Sequence, residues 1–266
     1  MIKWARLVAS SGVTVLHAHC TLKRYKKHSD KHPLNERIKK LHHYCKKLCD
    51  GGLRVRFIIK GEENIPEGQT LFIGNHCSLI DPVLFYALID KPSTVVAKKE
   101  IRKMPFIGDI VKSVDGFFLD RGNPRKELKT FIDINKKLEA NKDLSILIYP
   151  EGTRSKAPDF PLLPFHAGTF KVATRRGLPI VPICLCHSDR ILNQRFHYHV
   201  YPIQVSILKP VTKEEYENMT GEELSSMLHQ RMEKEITSMR ENDAKLIQQW
   251  NHYSDKKMEK VFSYQK

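Results

Sequence analysis

The stretch Leu71-Phe72-Ile73-Gly74-Asn75-His76-Cys77-Ser78-Leu79-Ile80-Asp81-Pro82 carries a strand into a turn and the turn into a helix. Leu71 to Ile73 is an apolar run of strand length, and Gly74-Asn75 ends it. Asp is a preferred N-cap and Pro is favoured at the first helical position, so Asp81-Pro82 predicts a helix running to Ile89. His76 and Asp81 are five positions apart. On one helix that spacing separates them by about 140° around the axis, and on one strand it puts them on opposite faces, so the side chains meet only across a turn. A carboxylate on one imidazole nitrogen fixes the tautomer and raises the basicity of the other, which can then take a proton from a hydroxyl. In isolation the pair would read as a cap and a loop histidine; the motifs downstream favour a base and its orienter.

Around this turn, strands alternate with helices. Leu53, Val55 and Phe57 alternate with Arg54, Arg56 and Ile58 as an edge strand would. Further strands are predicted at residues 94–97, 116–119, 144–149, 180–185 and 204–208. A helical segment from Lys98 is broken by Pro105 and Gly108. A helix from Pro124 places Leu128, Phe131, Ile134 and Leu138 on one side, and another covers residues 167–176 before Gly177. The pattern predicts an α/β fold, a mixed central sheet flanked by helices, with active groups on loops at strand ends. The organisation expected is an N-terminal helical arm over residues 1–50, a catalytic domain over 51–210 and a helical segment over 211–266. In that last segment Thr212 with Glu215 and Thr220 with Glu223 have capping-box spacing, and Met227, Met232 and Ile236 form an apolar stripe.

With 266 residues, 41% hydrophobic and 28% charged, the chain can bury a real core. Its net charge of +15 calls for an anionic partner. The first twenty residues are too short and too interrupted to span a bilayer, and Trp4 between Lys3 and Arg6 suits a helix lying in a membrane interface. Residues 21–50 add ten cations, Arg37 among them, against Asp30, Glu36 and Asp50. Each cation near an anionic leaflet contributes about 1 kcal/mol. A solvated helix face is the plainer reading of such a run, but the neighbouring apolar helix favours an anionic phospholipid membrane. The absence of aromatic interleaving or a base-reading motif argues against nucleic acid. We expect a peripheral, monotopic protein on the cytoplasmic face of the cell membrane. The six cysteines lack disulfide-scaffold density and read as reduced thiols. Cys45 and Cys49 near His42 and His43 lack a second ligand pair, so no metal site is expected.

Two further turns follow strands. Gly116-Phe117-Phe118-Leu119-Asp120-Arg121 ends in an acid-arginine pair, and Tyr149-Pro150-Glu151-Gly152-Thr153-Arg154-Ser155 carries a glycine, a hydroxyl and an arginine. A guanidinium fork, a glycine admitting close approach and a threonine hydroxyl are the parts of a phosphate-binding turn. Glu151 would hold Arg154 or accept from a substrate hydroxyl, and surface ion pairs Asp120–Arg121 and Glu151–Arg154 are the plainer alternative. Leu178-Pro179-Ile180-Val181-Pro182-Ile183, an apolar strand with two prolines, reads as an edge or a pocket wall.

These motifs, in this order, resemble the glycerolipid acyltransferase family, in the pattern of the PlsC-type 1-acylglycerol-3-phosphate acyltransferases. Asn75, His76, Ser78 and Asp81 match its N-H-x-S-x-x-D block, Asp120 and Arg121 its second block, Tyr149 to Ser155 its third and Leu178 to Pro182 its proline-containing fourth. The segment from Phe165 to Lys171 is similar to a turn of the family. Asp115 departs, standing where the family often has glycine. The match covers roughly residues 53–210.

The resemblance implies that His76 deprotonates the 2-hydroxyl of lysophosphatidic acid while Asp81 orients it. The alkoxide then attacks the thioester of acyl-CoA or acyl carrier protein, with no cofactor and no metal. Arg121, Glu151, Gly152, Thr153 and Arg154 would hold the acceptor's phosphate, Asn75 and Ser78 would support the turn, and a backbone N–H near His76 would stabilise the oxyanion. Three alternatives remain at this stage. The acceptor is glycerol 3-phosphate or another lysolipid; Ser78 or Cys77 is acylated first; or the chain is a basic membrane-binding protein without activity.

Overall fold

The computed structural model describes residues 2–155, 161–193 and 196–258, with the side chains of residues 2–10 and of Lys26 left aside. In chain order the elements are α1 (Ile2–Lys27), α2 (Leu34–Asp50), β1 (Val55–Lys60), β2 (Leu71–Gly74), α3 (Asp81–Leu88), β3 (Ser93–Lys98), α4 (Ile107–Ser113), β4 (Phe117–Leu119), α5 (Pro124–Ala140), β5 (Ser145–Ile148), α6 (Lys171–Thr174), β6 (Ile180–Cys186), α7 (Asp189–Leu192), β7 (Tyr201–Ile207), α8 (Lys213–Tyr216), α9 (Gly221–Glu241) and α10 (Asp243–Asn251).

The strands form one sheet in the order β1-β7-β6-β2-β5-β3-β4. All neighbours are parallel except β6 and β7, whose antiparallel register makes the sheet mixed. β2 is central, and its four residues are buried on both faces, as a short unbroken apolar run should be. The chain leaving β2 runs through α3 to the β5–β3–β4 side, whereas the chain leaving β5 crosses back to β6 on the other side of β2. The carboxyl ends of β2 and β5 therefore flank a topological switch point, where open α/β sheets form a crevice.

Several expectations change in the folded chain. Pro182 lies in β6, between β2 and β7, and not on an edge. The lost N–H is harmless there. The Pro182 carbonyl accepts from Leu208 N at 2.9 Å, so its nitrogen faces the end of β7, beyond the last ladder pair Ile183 and Ile207. Gly108 does not break a helix but sits in the first turn of α4, where a Cβ would meet the Ile101 carbonyl oxygen at 2.6 Å. Residues 167–176 form a 3₁₀ turn followed by the single-turn α6. On α5, Ile134 and Leu138 are buried, but Leu128 is 55% exposed. Both capping boxes in the C-terminal segment form, and Leu224, Leu228, Met232, Ile236 and Met239 bury one face of α9.

One hydrophobic cluster runs from Leu22 on α1 through the sheet to Met258. α2 packs on α3 with Ile38, Leu41, Cys45, Leu48 and Cys49 buried, while Lys39, Lys40, Lys46 and Lys47 remain exposed. Arg37 leaves the basic run altogether. It is 3% exposed and donates two hydrogen bonds to Asp115, at 2.7 and 3.0 Å. Asp115 has φ +50°, a backbone state that costs glycine little and that Asp tolerates, and its carboxylate also takes Lys137 at 2.5 Å. Burial would raise its pKa, but the hydrogen bonds from Arg37 and Lys137 hold it below the usual carboxylate range. The departure at Asp115 thus pins α2 and α5 to the turn before β4.

Candidate active site

β2 ends in Gly74, and Asn75 locks that end to β6. Its side-chain amide donates to Leu185 O at 2.9 Å and its oxygen accepts from Leu185 N at 2.8 Å, replacing a pair of ladder bonds. The chain then turns through His76, Cys77 and Ser78 into α3. Asp81 is the first residue of that helix and not its cap, Ile80 taking the cap position. Fully buried, it points its carboxylate back into the turn. Oδ2 accepts from His76 Nδ1 at 2.7 Å, from Cys77 N at 2.9 Å and from Ser78 N at 2.8 Å, while Oδ1 accepts from the Ser188 hydroxyl at 2.5 Å. A carboxylate only accepts, so the proton of the neutral imidazole lies on Nδ1 and Nε2 presents a lone pair. The imidazole stacks on Tyr149, ring centroids 4.4 Å apart and planes 23° apart. Aspartate and tyrosine together fix the imidazole in two directions.

Ser78 and Cys77 are not built as nucleophiles. Ser78 is buried and its hydroxyl accepts from Ile80 N at 3.4 Å, shaping the turn. Burial pushes the Cys77 thiol well up, and the nearby Asp81 and Glu151 carboxylates add to the effect.

Glu151 differs most from its expected role. Glu151 is 4% exposed and its carboxylate accepts from His76 N at 2.6 Å and Leu163 N at 2.9 Å, so it ties the β5 turn to the backbone of His76 and does not pair with Arg154. Desolvation raises its pKa to about 7, against the two amide hydrogen bonds that favour the anion. The amides of His76, Cys77 and Ser78 are thereby all committed to carboxylates. The expected oxyanion donor is none of these three.

Arg121, at the end of β4, reaches across the β5 turn. A Cβ at Gly152, φ +64°, would overlap its guanidinium, so the two are packed face to face. Asp120 does not pair with Arg121 but with Lys99 at 2.8 Å, and no ion pair holds Arg121 among the described residues. Burial lowers its proton affinity, Glu127 opposing, and an arginine remains charged throughout. Thr153 and Arg154 are exposed beside it. Lys98, Lys99 and His166 join Arg121, Gly152 and Thr153 around one polar cleft. Burial and then the Arg121 charge lower the His166 pKa. Lys98 closes β3, Lys99 follows it and His166 comes from the chain beyond the β5 turn; the fold alone brings all three here.

The other half of the crevice is apolar. A cavity of about 950 Å³, counted to its open mouth, runs from His76 and Arg121 between β3 (Val95, Val96), α3 (Val83) and α4 (Val111). Both spaces are lined by Lys98, Leu119, Arg121, Gly152 and Thr153, so a polar and an apolar compartment meet beside His76.

Behind the turn, Cys186, His187 and Asp243 bring donor atoms within 4.8 Å of one another. Arg190 already occupies that carboxylate, donating to Asp243 Oδ2 at 2.5 Å, and the group reads as a buried ion pair. Cys45 and Cys49 lie in the core, where burial pushes Cys49 up to about 12 and Cys45 up as well.

The chain is similar to known acyltransferases. The family model described as Acyltransferase matches residues 56–186. The 1-acyl-sn-glycerol-3-phosphate acyltransferase of Haemophilus influenzae is 30% identical over 200 residues, covering 73% of this chain and 82% of that protein. The chain belongs to the acyltransferase family. The Saccharomyces cerevisiae protein of the same name is 29% identical over 223 residues, 79% of this chain and 71% of that one, and the Escherichia coli protein 29% over 173 residues, 65% and 69%. The fold is that of the crystal structure of the 1-acyl-sn-glycerophosphate acyltransferase PlsC from Thermotoga maritima. There the TM-score is 0.66 at 20% identity, over 90% of this chain and 98% of that one. As a member of that family, whose named relatives here are 1-acylglycerol-3-phosphate acyltransferases, the chain is an O-acyltransferase.

Proposed function

We propose that the enzyme transfers a fatty acyl group from acyl-CoA or acyl carrier protein to the 2-hydroxyl of 1-acylglycerol 3-phosphate, giving phosphatidic acid. The observation that carries this reading is that His76 and Arg121 line one cavity, the base beside an apolar channel and the guanidinium at its polar edge. A phosphate on Arg121, with Thr153, Lys98 and His166 around it, turns the neighbouring hydroxyl toward Nε2. Nε2 takes the hydroxyl proton as the oxygen attacks the thioester carbonyl. The tetrahedral intermediate then expels the thiolate, which takes the proton back from the imidazolium. Asp81 stabilises the imidazolium while it lasts. Positioning of this kind can supply roughly 7–11 kcal/mol of barrier reduction. The acyl chain lies in the apolar channel, and the step as written calls for no cofactor and no metal.

The acceptor and product are bilayer lipids, and we place the enzyme on the cytoplasmic face of the membrane as a peripheral protein. No helix among the described residues is long and apolar enough to cross a bilayer. Val13 and Leu16 on α1 are 85% and 64% exposed, and Lys23, Arg24 and Lys27 follow on the same helix. Trp4, Lys3 and Arg6, expected in that interface, lie outside the described side chains. An acceptor panel tests the reading. Transfer to 1-acylglycerol 3-phosphate exceeding that to glycerol 3-phosphate and to lysophosphatidylcholine by tenfold or more is expected. A preference for glycerol 3-phosphate or a neutral-headgroup lysolipid would move the assignment, and vesicle binding without turnover of any acceptor would favour the inactive membrane-binding alternative.

A further inference from the structure

The dyad does not end at Asp81. Beyond its turn, Asp81 meets Ser188, 107 residues away in sequence, whose hydroxyl donates to Oδ1 at 2.5 Å. Both residues are 0% exposed. Oδ2 is filled by the imidazole and two amides, so Ser188 is the donor that the structure supplies to the second oxygen. Ser188 stands just past β6, between His187, whose φ is +56°, and α7. That turn is itself held from the C-terminal segment: Arg190, two residues on, is 5% exposed and donates to Asp243 at the start of α10.

Resting on the reading of His76 as the base, we infer that Ser188 is a positioning residue for acyl transfer. It holds the carboxylate of Asp81 in the orientation that aims His76, and α10 anchors its turn through the Arg190–Asp243 pair. Position 188 therefore controls how well the base is aimed without itself touching substrate.

A buried carboxylate oxygen without a donor is poorly stabilised as an anion. Removing the Ser188 hydroxyl leaves Oδ1 bare and lets the carboxylate rotate toward other donors, taking the imidazole with it.

The test compares wild type, Ser188→Ala, Ser188→Thr and His76→Ala as full-length proteins, reading kcat and acceptor KM, with thermal unfolding as the check on folding. Ser188→Ala is expected to lower kcat about tenfold and to leave KM within about twofold, while Ser188→Thr, which keeps the hydroxyl, regains kcat. Ser188→Ala with wild-type kcat would overturn the inference, as would a folded Ser188→Thr no better than Ser188→Ala. If Ser188→Ala does not fold, Ser188→Thr and Ser188→Cys, with a strong and a weak donor, decide by the same ordering. His76→Ala retaining activity would instead overturn the reading beneath it.

Discussion

Glu151 and His76 are joined through the backbone: one carboxylate oxygen of the buried acid accepts from the N–H of the base's own residue at 2.6 Å, and the other accepts from Leu163 N at 2.9 Å. The acid thus sets the height of the His76 turn over the β5 turn. Its desolvation raises its pKa to about 7 from an ordinary 4.5. The folded state therefore favours the protonated acid. The stability this confers is fully present below about pH 4.5 and is lost as pH rises through about 7. Urea unfolding of wild type and Glu151→Gln between pH 5 and 8 is expected to show wild type losing stability relative to the variant as pH rises. Parallel curves would show that Glu151 titrates normally.

Gly152 has two reasons to be glycine, its φ of +64° and the Arg121 guanidinium lying where a Cβ would go. Gly152→Ala combines backbone strain of about 1–3 kcal/mol with displacement of Arg121. We expect acceptor KM to rise tenfold or more while donor KM changes little. Equal effects on both substrates would place Arg121 away from the phosphate.

The Arg37–Asp115 pair fastens α2 to the body of the enzyme. Breaking a buried pair costs about 3–5 kcal/mol, and with Asp115 partly exposed we expect about 2–3 kcal/mol for Arg37→Ala in chemical denaturation. The Asp115 pKa is depressed in the folded state. Its contribution is present above about pH 3.9 and is lost as pH falls through the lower folded value, so wild type and variant should converge in acid.

The apolar channel predicts a control of chain length. Val111 on α4 lines it and is 3% exposed. Val111→Phe adds volume to a packed wall, at a stability cost of about 1–3 kcal/mol. Donors with long chains should lose kcat/KM relative to short ones, measured in competition. An unchanged ratio would place the acyl chain elsewhere.

Much of this was legible in the sequence, for local reasons. His76 and Asp81 pair across a turn that five residues and a proline specify. β2 and β5 are short apolar runs of the length a buried strand has. What stayed hidden depends on distant contacts. Glu151 reads as a surface partner for Arg154 until the fold brings the His76 amide, 75 residues away, onto it. Ser188 carries no motif, and its importance lies in a contact across the central strands. Leu128 fits the apolar side of a helical wheel, yet α5 buries a narrower stripe than the wheel allows. Pro182 argues for an edge from its missing N–H alone, and only the register of β7 shows why a central strand accepts it.

The central claim is that His76, held by Asp81, activates the 2-hydroxyl for direct attack on a thioester. Acyl transfer from a labelled acyl thioester to 1-acylglycerol 3-phosphate in mixed micelles, comparing wild type with His76→Ala of matched thermal stability, tests it most directly. We expect donor-dependent phosphatidic acid from wild type and a loss of at least a hundredfold, about 2.7 kcal/mol, in the variant, with no labelled protein after acid quench. Comparable turnover by His76→Ala, or label retained on the protein, would contradict it.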